Sequence, residues 1–290
     1  VKGIILAGGK GTRLYPLTTG VNKQLLPIYD KPLIYYPLSL LMLAEIREVL
    51  IISDDISQPL YRRLLGGGDK WGMNFSYLVQ DEPRGIAEAL ILGKDFLEKQ
   101  PVCLVLGDNI LYGTGIPNRL RRSAVLTEGA RIFAYQVKDP RRYGIVKFDY
   151  VSEETGQATA IQEKPVSPLS DYAVPGVYFY DHRAVEFAEK LEPSDRGELE
   201  ITDVNRMYLN QKLLEVEVLG RGVAWLDAGT HEARMQASTF VQVIQQRQGL
   251  MIACPEEIAF RQGYIGEAQL RTLALQYNNS YGTYLMDLLR

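Results

Sequence analysis

Three glycines, Gly8, Gly9 and Gly11, fall within four residues directly after the apolar run Gly3-Ile4-Ile5-Leu6-Ala7, and Arg13 and Lys23 follow. Glycine lets a backbone approach a phosphate closely and turn its N–H groups toward it, so a strand feeding such a turn makes an anion cradle. Arg13 and Lys23 add fixed positive charge that could neutralise a triphosphate and a pyrophosphate leaving group. The stretch is not a Walker loop, because no Gly-x-x-x-x-Gly-Lys-Ser/Thr spacing can be written in it. It also fails the dinucleotide fingerprint, since Leu14 stands where the third glycine belongs. The glycines taken alone also fit an ordinary turn with solvated basic residues.

Two carboxylates stand at the ends of apolar runs. Val102-Cys103-Leu104-Val105-Leu106 leads into Gly107-Asp108-Asn109, just past the carboxyl end of a predicted central strand, where open sheets bind ligands. Val223-Ala224-Trp225-Leu226 leads into Asp227 and then Ala228-Gly229-Thr230. Either aspartate alone would serve as a helix cap or turn residue. Beside a glycine cradle, the two could share one Mg²⁺, an ion that takes a few carboxylates together with substrate phosphates and water. With only His182 and His231 present, a three-histidine metal site is excluded, and His231-Glu232-Ala233-Arg234-Met235 fails the zinc-protease pattern at Met235. His231 reads instead as sitting near a helix start capped by Thr230. A nucleophile that is already an anion needs no histidine base, and a phosphate monoester, with a second pKa of about 6, is such a nucleophile. The remaining work is to position two anions and screen their repulsion.

These residues need a frame. Short apolar runs at 3–7, 49–53, 75–79, 102–106 and 131–137 alternate with helical patterns at 33–44, 58–65, 86–97 and 117–126. That alternation predicts an α/β protein with a doubly wound sheet of parallel strands linked by crossover helices. Strand-like runs at 143–148, 159–162, 176–180, 214–219 and 223–226 alternate less cleanly and predict a mixed sheet. A long helix is predicted over 231–248, with helices and loops of the last forty residues packed on the core. No repeat, low-complexity tract or Pro/Ser-rich linker separates parts of the chain. At 290 residues, one large core with an appended part is expected: residues 1–230, then a helical part over 231–290.

Composition narrows the partner. Hydrophobic residues make up 46% and charged residues 23%, enough for a large core, and the net charge of -3 offers no global attraction to nucleic acid or an anionic membrane. Neither partner is expected; a small ligand is. Cys103 and Cys254 lie outside any C-x-x-C pattern, which fits a reducing cytoplasm, and Cys103 within its apolar run reads as core. The stretch 33–44 is too short to cross a bilayer, which takes roughly 20 residues, and no signal-peptide core forms before Gly8.

Across essentially its whole length the sequence resembles the bacterial glucose-1-phosphate thymidylyltransferases of deoxysugar (rhamnose) synthesis, within the sugar nucleotidyltransferases. The resemblance rests on an ordered set of motifs: the stretch from Gly3 to Leu14, Lys23-Gln24-Leu25-Leu26-Pro27, Leu106-Gly107-Asp108-Asn109, Tyr143-Gly144, Glu163-Lys164-Pro165, Arg196-Gly197-Glu198-Leu199-Glu200-Ile201-Thr202-Asp203, Trp225-Leu226-Asp227 and Cys254-Pro255-Glu256-Glu257-Ile258-Ala259. It implies a Rossmann-like, glycosyltransferase-A-like mixed sheet with a C-terminal helical extension. It further implies direct in-line transfer from dTTP to α-D-glucose 1-phosphate. Asp108 and Asp227 would be Mg²⁺ ligands. Gly8, Gly11, Thr12 and Arg13 would form the phosphate loop, Lys23 would hold the pyrophosphate side, and Gln80 and Gly85 would read the base. Lys164 and Arg196 would clamp the sugar phosphate, and Tyr143, Gly144, Glu163 and Val174 would touch the pyranose. Taken alone, Glu163, Lys164 and Arg196 also fit surface charges. The resemblance also implies a homotetramer, feedback-inhibited by dTDP-rhamnose or a related sugar nucleotide between subunits, at Glu257, Ile258 and Arg261 with Gly113 and Arg221 nearby.

Several positions depart from the family pattern. Arg84, Ile86 and Glu88 stand where an acidic residue, Leu and Gln are usual, Pro175 and Ala228 replace threonines, and Pro117 stands at a place often held by histidine. Two other expectations therefore accompany the first: the same chemistry with UTP or another hexose 1-phosphate, or a non-catalytic sugar-nucleotide sensor. Asp108, Asp227 and Arg13, whose loss would mark a sensor, are all present.

Overall fold

Parallel strands covered by helices on both faces must be apolar on both faces, and the first strands of this chain are. In the computed structural model, which describes Val1–Arg290, Lys2–Leu6 lies parallel between Glu48–Ser53 and Val102–Leu106, with Asn74–Val79 outside Glu48–Ser53. Leu6 pairs with Ile52 on one side and Leu106 on the other, so the carboxyl ends stay level. The chain winds outward from Lys2–Leu6 in one direction and then crosses to its other side. The switch point of the topology therefore lies between Lys2–Leu6 and Val102–Leu106, where open α/β sheets leave a crevice.

Beyond Val102–Leu106 the sheet continues in the spatial order Val177–Tyr180, Ala130–Gln136, Leu214–Leu219, Thr155–Glu163, Gly144–Tyr150 and Tyr172–Ala173. Val177–Tyr180 runs antiparallel to both its neighbours, Leu214–Leu219 is parallel to Ala130–Gln136, and the outermost pairs are antiparallel. The result is the doubly wound α/β sheet with a mixed half that the patterning predicts. Alternate side chains feed two cores. Ile5, Ile51, Cys103 and Val105 pack with Tyr35, Leu38 and Trp71, while Ile4, Leu50, Ile52 and Leu104 pack with Ala89, Leu90, Val204 and Tyr208.

The structure differs from the sequence expectation in three places. The single helix expected over 86–97 is two short ones, Glu88–Leu92 and Lys94–Leu97, meeting at Gly93, where an added Cβ would come within 2.7 Å of Ile4 Cδ1. The helices Ala184–Glu189 and Ile201–Asn210 were not anticipated, although Ile201, Val204, Asn205 and Tyr208 mark one buried face at helical spacing. Val223–Asp227 does not join the main sheet. It pairs antiparallel with Asn109–Gly113 as a two-stranded ribbon, because Asn109–Gly113 turns away from the sheet after Asp108.

Toward the C-terminus, Thr230 starts the helix His231–Gln248 as the sequence suggests, its hydroxyl accepting from the Ala233 N–H at 3.2 Å. In the helices Pro255–Arg261, Glu267–Ala274 and Ser280–Asp287, the residues Ala259, Leu270, Leu273 and Leu285 share a core with Tyr35 and Trp71. Cys103 and Cys254 are both buried and unpaired, and no helix is long and apolar enough to cross a membrane.

Candidate active site

The glycine loop and Asp108 meet at the switch point. Gly107 donates its N–H to the Leu6 carbonyl at 2.9 Å, and an added Cβ there would meet that oxygen at 2.9 Å, so only glycine allows the two strand ends this approach. Lys23 reaches across to form an ion pair with Asp108, Nζ to Oδ2 2.5 Å, with both side chains largely buried. Burial works against the Asp108 charge, but Lys23, helped by a hydrogen bond from Asn109 Nδ2, outweighs it and holds the carboxyl below its ordinary 3.8.

The ribbon register sets Asp227 directly opposite Asn109, one residue from Asp108, and the Ala228 N–H donates to the Asp108 carbonyl at 3.2 Å. Two aspartates distant in sequence thus stand side by side. Asp227 accepts from the Tyr143 hydroxyl and the Gly229 N–H, each at 3.3 Å. Burial, reinforced by the Asp227 carboxylate, raises the Tyr143 phenol above its ordinary 10.0.

Two cavities share this wall. One, about 330 Å³, is lined by Gly8, Gly9, Lys23, Gln80, Gly85 and Glu198; the other, about 300 Å³, by Tyr143, Gly144, Glu163, Lys164, Val174 and Asp227. Arg13, Ile86, Leu106 and Asp108 line both. On the first side, Gly85 has φ +113, and a Cβ there would strike the Leu199 carbonyl and N–H at 2.4 and 2.5 Å. On the second, Glu163 accepts from the Thr202 hydroxyl at 2.5 Å, and Lys164, with φ +39, lies with Nζ 3.6 Å from Glu163 Oε1.

Other residues proposed from sequence stand apart from these cavities. Gly11 and Thr12 line neither; Gly11, at φ +59, opens the short turn Thr12–Leu14 and accepts from the Thr18 hydroxyl at 2.7 Å. Arg196 also lines neither and is engaged by Glu200 at 2.7 Å and Glu163 at 3.3 Å. Gly113, Glu257, Ile258 and Arg261 gather around a separate cavity of about 270 Å³ together with Pro117. Arg221 is not with them; it lines another cavity of about 460 Å³ beside Gly222.

Sequence reasoning missed Asn109 and Trp225 as parts of the site. Buried Asn109 Oδ1 accepts from Trp225 Nε1 at 2.7 Å and from the Gly176 N–H at 3.0 Å, while its Nδ2 donates to Asp108 Oδ1 at 3.1 Å. One amide therefore ties the ribbon, the neighbouring strand and the aspartate together. The available signal was the tryptophan itself, because a buried indole N–H requires an acceptor.

Asp108 and Asp227 are hard oxygen donors suited to a divalent ion. No group of three His, Cys, Asp or Glu ligands forms in the fold, so the rest of such an ion's coordination would fall to substrate oxygens and water.

A sequence model of the nucleotidyl transferase family matches residues 2–243. A glucose-1-phosphate thymidylyltransferase of Neisseria meningitidis serogroup A is 55% identical over 291 residues, covering 100% of both chains. One from Mycobacterium tuberculosis is 51% identical, covering 100% of this chain and 99% of the relative. Among solved structures, one described as a glucose-1-phosphate thymidylyltransferase of Bacillus anthracis in complex with sucrose superposes with a TM-score of 0.74 at 38% identity, over 82% of this chain and 94% of that one. A UDP-glucose pyrophosphorylase complexed with UDP-glucose reaches the same TM-score of 0.74 at 23% identity, over 84% of this chain and 98% of that one, a likeness of fold.

Proposed function

We propose roles for the residues of this site on the premise that the chain belongs to the nucleotidyl transferase family and, within it, to the glucose-1-phosphate thymidylyltransferases. The enzyme transfers a nucleotidyl group from dTTP to α-D-glucose 1-phosphate, giving dTDP-glucose and pyrophosphate. A sugar phosphate oxygen attacks the α-phosphorus. A new P–O bond forms as the bond to the bridging oxygen breaks, and its electron pair leaves with pyrophosphate.

The observation that carries the assignment of roles is the pair of cavities joined at Arg13 and Asp108. The side with Gly8, Lys23, Gln80 and Gly85 takes the nucleotide, and the side with Tyr143, Gly144, Glu163, Lys164 and Val174 takes the sugar phosphate. Arg13 and Lys23 hold charge that develops on the leaving side. Lys164 holds the attacking phosphate; Arg196, engaged by Glu200 and lining neither cavity, is linked to Lys164 through Glu163, which pairs with both. Asp108 and Asp227 would hold Mg²⁺, which when bound would screen the repulsion between the two anions and polarise the phosphoryl group. Gly11 and Thr12 shape the loop rather than line the cavity. In-line attack by an existing anion needs no covalent enzyme intermediate and no general base.

The further roles rest on the resemblance. The product feeds dTDP-rhamnose or related deoxysugar synthesis in the cytoplasm. The enzyme works as a homotetramer, with feedback inhibition at Gly113, Glu257, Ile258 and Arg261, and Arg221 adjoining across the ribbon. What supports the regulatory site is that four of these five residues surround one cavity distinct from the pair above.

The decisive test is pyrophosphate release from dTTP, glucose 1-phosphate and Mg²⁺ by the purified chain. Release with dTTP and none without the sugar phosphate is the expected outcome. No release would leave the sensor alternative, and preference for UTP or another hexose phosphate would redraw the substrate pair.

A further inference from the structure

Gln80 is buried against the glycine loop, and the two ends of its amide are chemically different. Its Nε2 donates to Glu88 Oε2 at 2.7 Å. Glu88, also buried, accepts in addition from the Arg84 main-chain N–H at 3.1 Å and from Arg84 Nε and Nη2, each at 2.8 Å. The backbone around this grip is held as well: Leu199 donates to the Arg84 carbonyl at 2.7 Å and accepts from the Ala87 N–H at 3.2 Å.

The orientation of an amide is decided by its hydrogen-bond partners rather than by its shape. A carboxylate offers only acceptors, so Glu88 leaves Gln80 one arrangement, with the amino group toward Glu88 and the carbonyl oxygen away from it. That oxygen lies over the glycine loop, 2.7 Å from where a Gly8 Cβ would be, and both residues line the nucleotide cavity. A glutamine at position 88 could donate or accept and would impose no such polarity.

We infer that Glu88 is a positioning residue for base selection: by turning the Gln80 carbonyl into the nucleotide cavity it makes that wall an acceptor. It thereby admits pyrimidines whose N3 carries a hydrogen, thymine and uracil, and rejects cytosine, whose N3 is itself an acceptor. An acceptor facing an acceptor leaves both unpaired, the situation in which polar sites discriminate most strongly. The inference rests on the nucleotide assignment proposed above and deepens it.

The test is steady-state pyrophosphate release by the full chain with glucose 1-phosphate and Mg²⁺, using dTTP, UTP and dCTP as separate probes, for wild type, Glu88→Gln and Glu88→Met. Methionine fills the buried space and replaces the carboxylate with a thioether, only a weak acceptor. The dTTP-to-dCTP ratio of kcat/KM is expected to fall roughly 10-fold or more in Glu88→Met, with Glu88→Gln between it and wild type. The dTTP-to-UTP ratio should hold, because both bases carry N3–H; a merely structural defect would not separate the two ratios. An unchanged dTTP-to-dCTP ratio in folded Glu88→Met overturns the inference, and if that variant does not fold, an unchanged ratio in Glu88→Gln does so. A wild type silent with all three nucleotides removes the proposed reaction and this inference together. A wild type active with dTTP whose ratios ignore position 88 removes the inference alone.

Discussion

Lys23 and Asp108, 85 residues apart, form an ion pair at 2.5 Å in the wall between the two cavities. The residue proposed for the pyrophosphate side and a residue proposed to hold the metal therefore balance each other's charge within one largely buried contact. This has a measurable pH signature. Asp108 is held below its ordinary 3.8. A carboxyl with a depressed folded pKa contributes stability that is fully present above its unfolded value and lost as the pH falls through its folded value. Lys23→Met strands the carboxylate and is expected to lower unfolding free energy by roughly 1–3 kcal/mol at neutral pH. Without Lys23, burial raises the stranded Asp108 carboxyl, so the variant sheds its penalty by taking up a proton, and the wild-type advantage in urea unfolding should be largest near pH 8 and shrink as the pH falls through that raised value. An advantage that stays constant down to about pH 3 would mean another group governs it.

Arg13 lines both cavities, and its guanidinium approaches the Gly229 turn, within 3.1 Å of where a Cβ would stand. Arg13→Ala is expected to fold normally and lose about 10²–10³ in kcat, the cost of removing one preorganised donor from a developing charge. Arg13→Lys should recover only a small part, because an ammonium cannot reproduce the planar fork. Near wild-type turnover in Arg13→Ala would remove the residue from the mechanism.

Asn109 binds Asp108, Trp225 and Gly176 at once. Asn109→Ala strands a half-buried indole N–H and a buried amide N–H, and is expected to cost about 1–3 kcal/mol, seen as a fall of a few degrees in Tm. Because the same amide orients Asp108, the apparent Mg²⁺ requirement of pyrophosphate release should rise about 10-fold or more. A stable variant with an unaltered Mg²⁺ dependence would show that Asn109 is structural only.

Ile258 and Arg261 line a cavity that shares no residue with the two active-site cavities. Inhibition by dTDP-rhamnose should therefore persist at saturating dTTP, and Ile258→Trp, which fills the cavity, should weaken it about 10-fold or more. Inhibition that disappears as dTTP is raised would place the inhibitor in the active site.

Much of this molecule is legible along the chain because the relevant forces are local. An apolar run buried on both faces reads as a central strand, a glycine cluster after it reads as a backbone turn, and Thr230 before a helical pattern reads as a cap. Asp108 could be assigned to a strand end for the same reason. By contrast, the helix Ile201–Asn210 escaped notice although its buried face is regular, because its polar residues and short length resemble a loop. Arg196 matches the sugar-phosphate clamp by motif, but nothing in its neighbouring residues shows that Glu200 and Glu163 both engage it.

The chain alone therefore determined the strands, the glycine cradle, the charged side chains available for phosphate and the type of sheet that carries them, since each depends on residues within a few positions of one another. Tertiary structure alone decided that Asp227 stands beside Asp108, that Asn109 joins them, and that Glu88 turns the Gln80 amide. The first two depend on which distant backbone pairs with which, and the third on the direction a side chain must face to satisfy a buried partner. Such choices are settled only when the whole core closes, because a buried polar group left unpaired costs more than a local preference can supply.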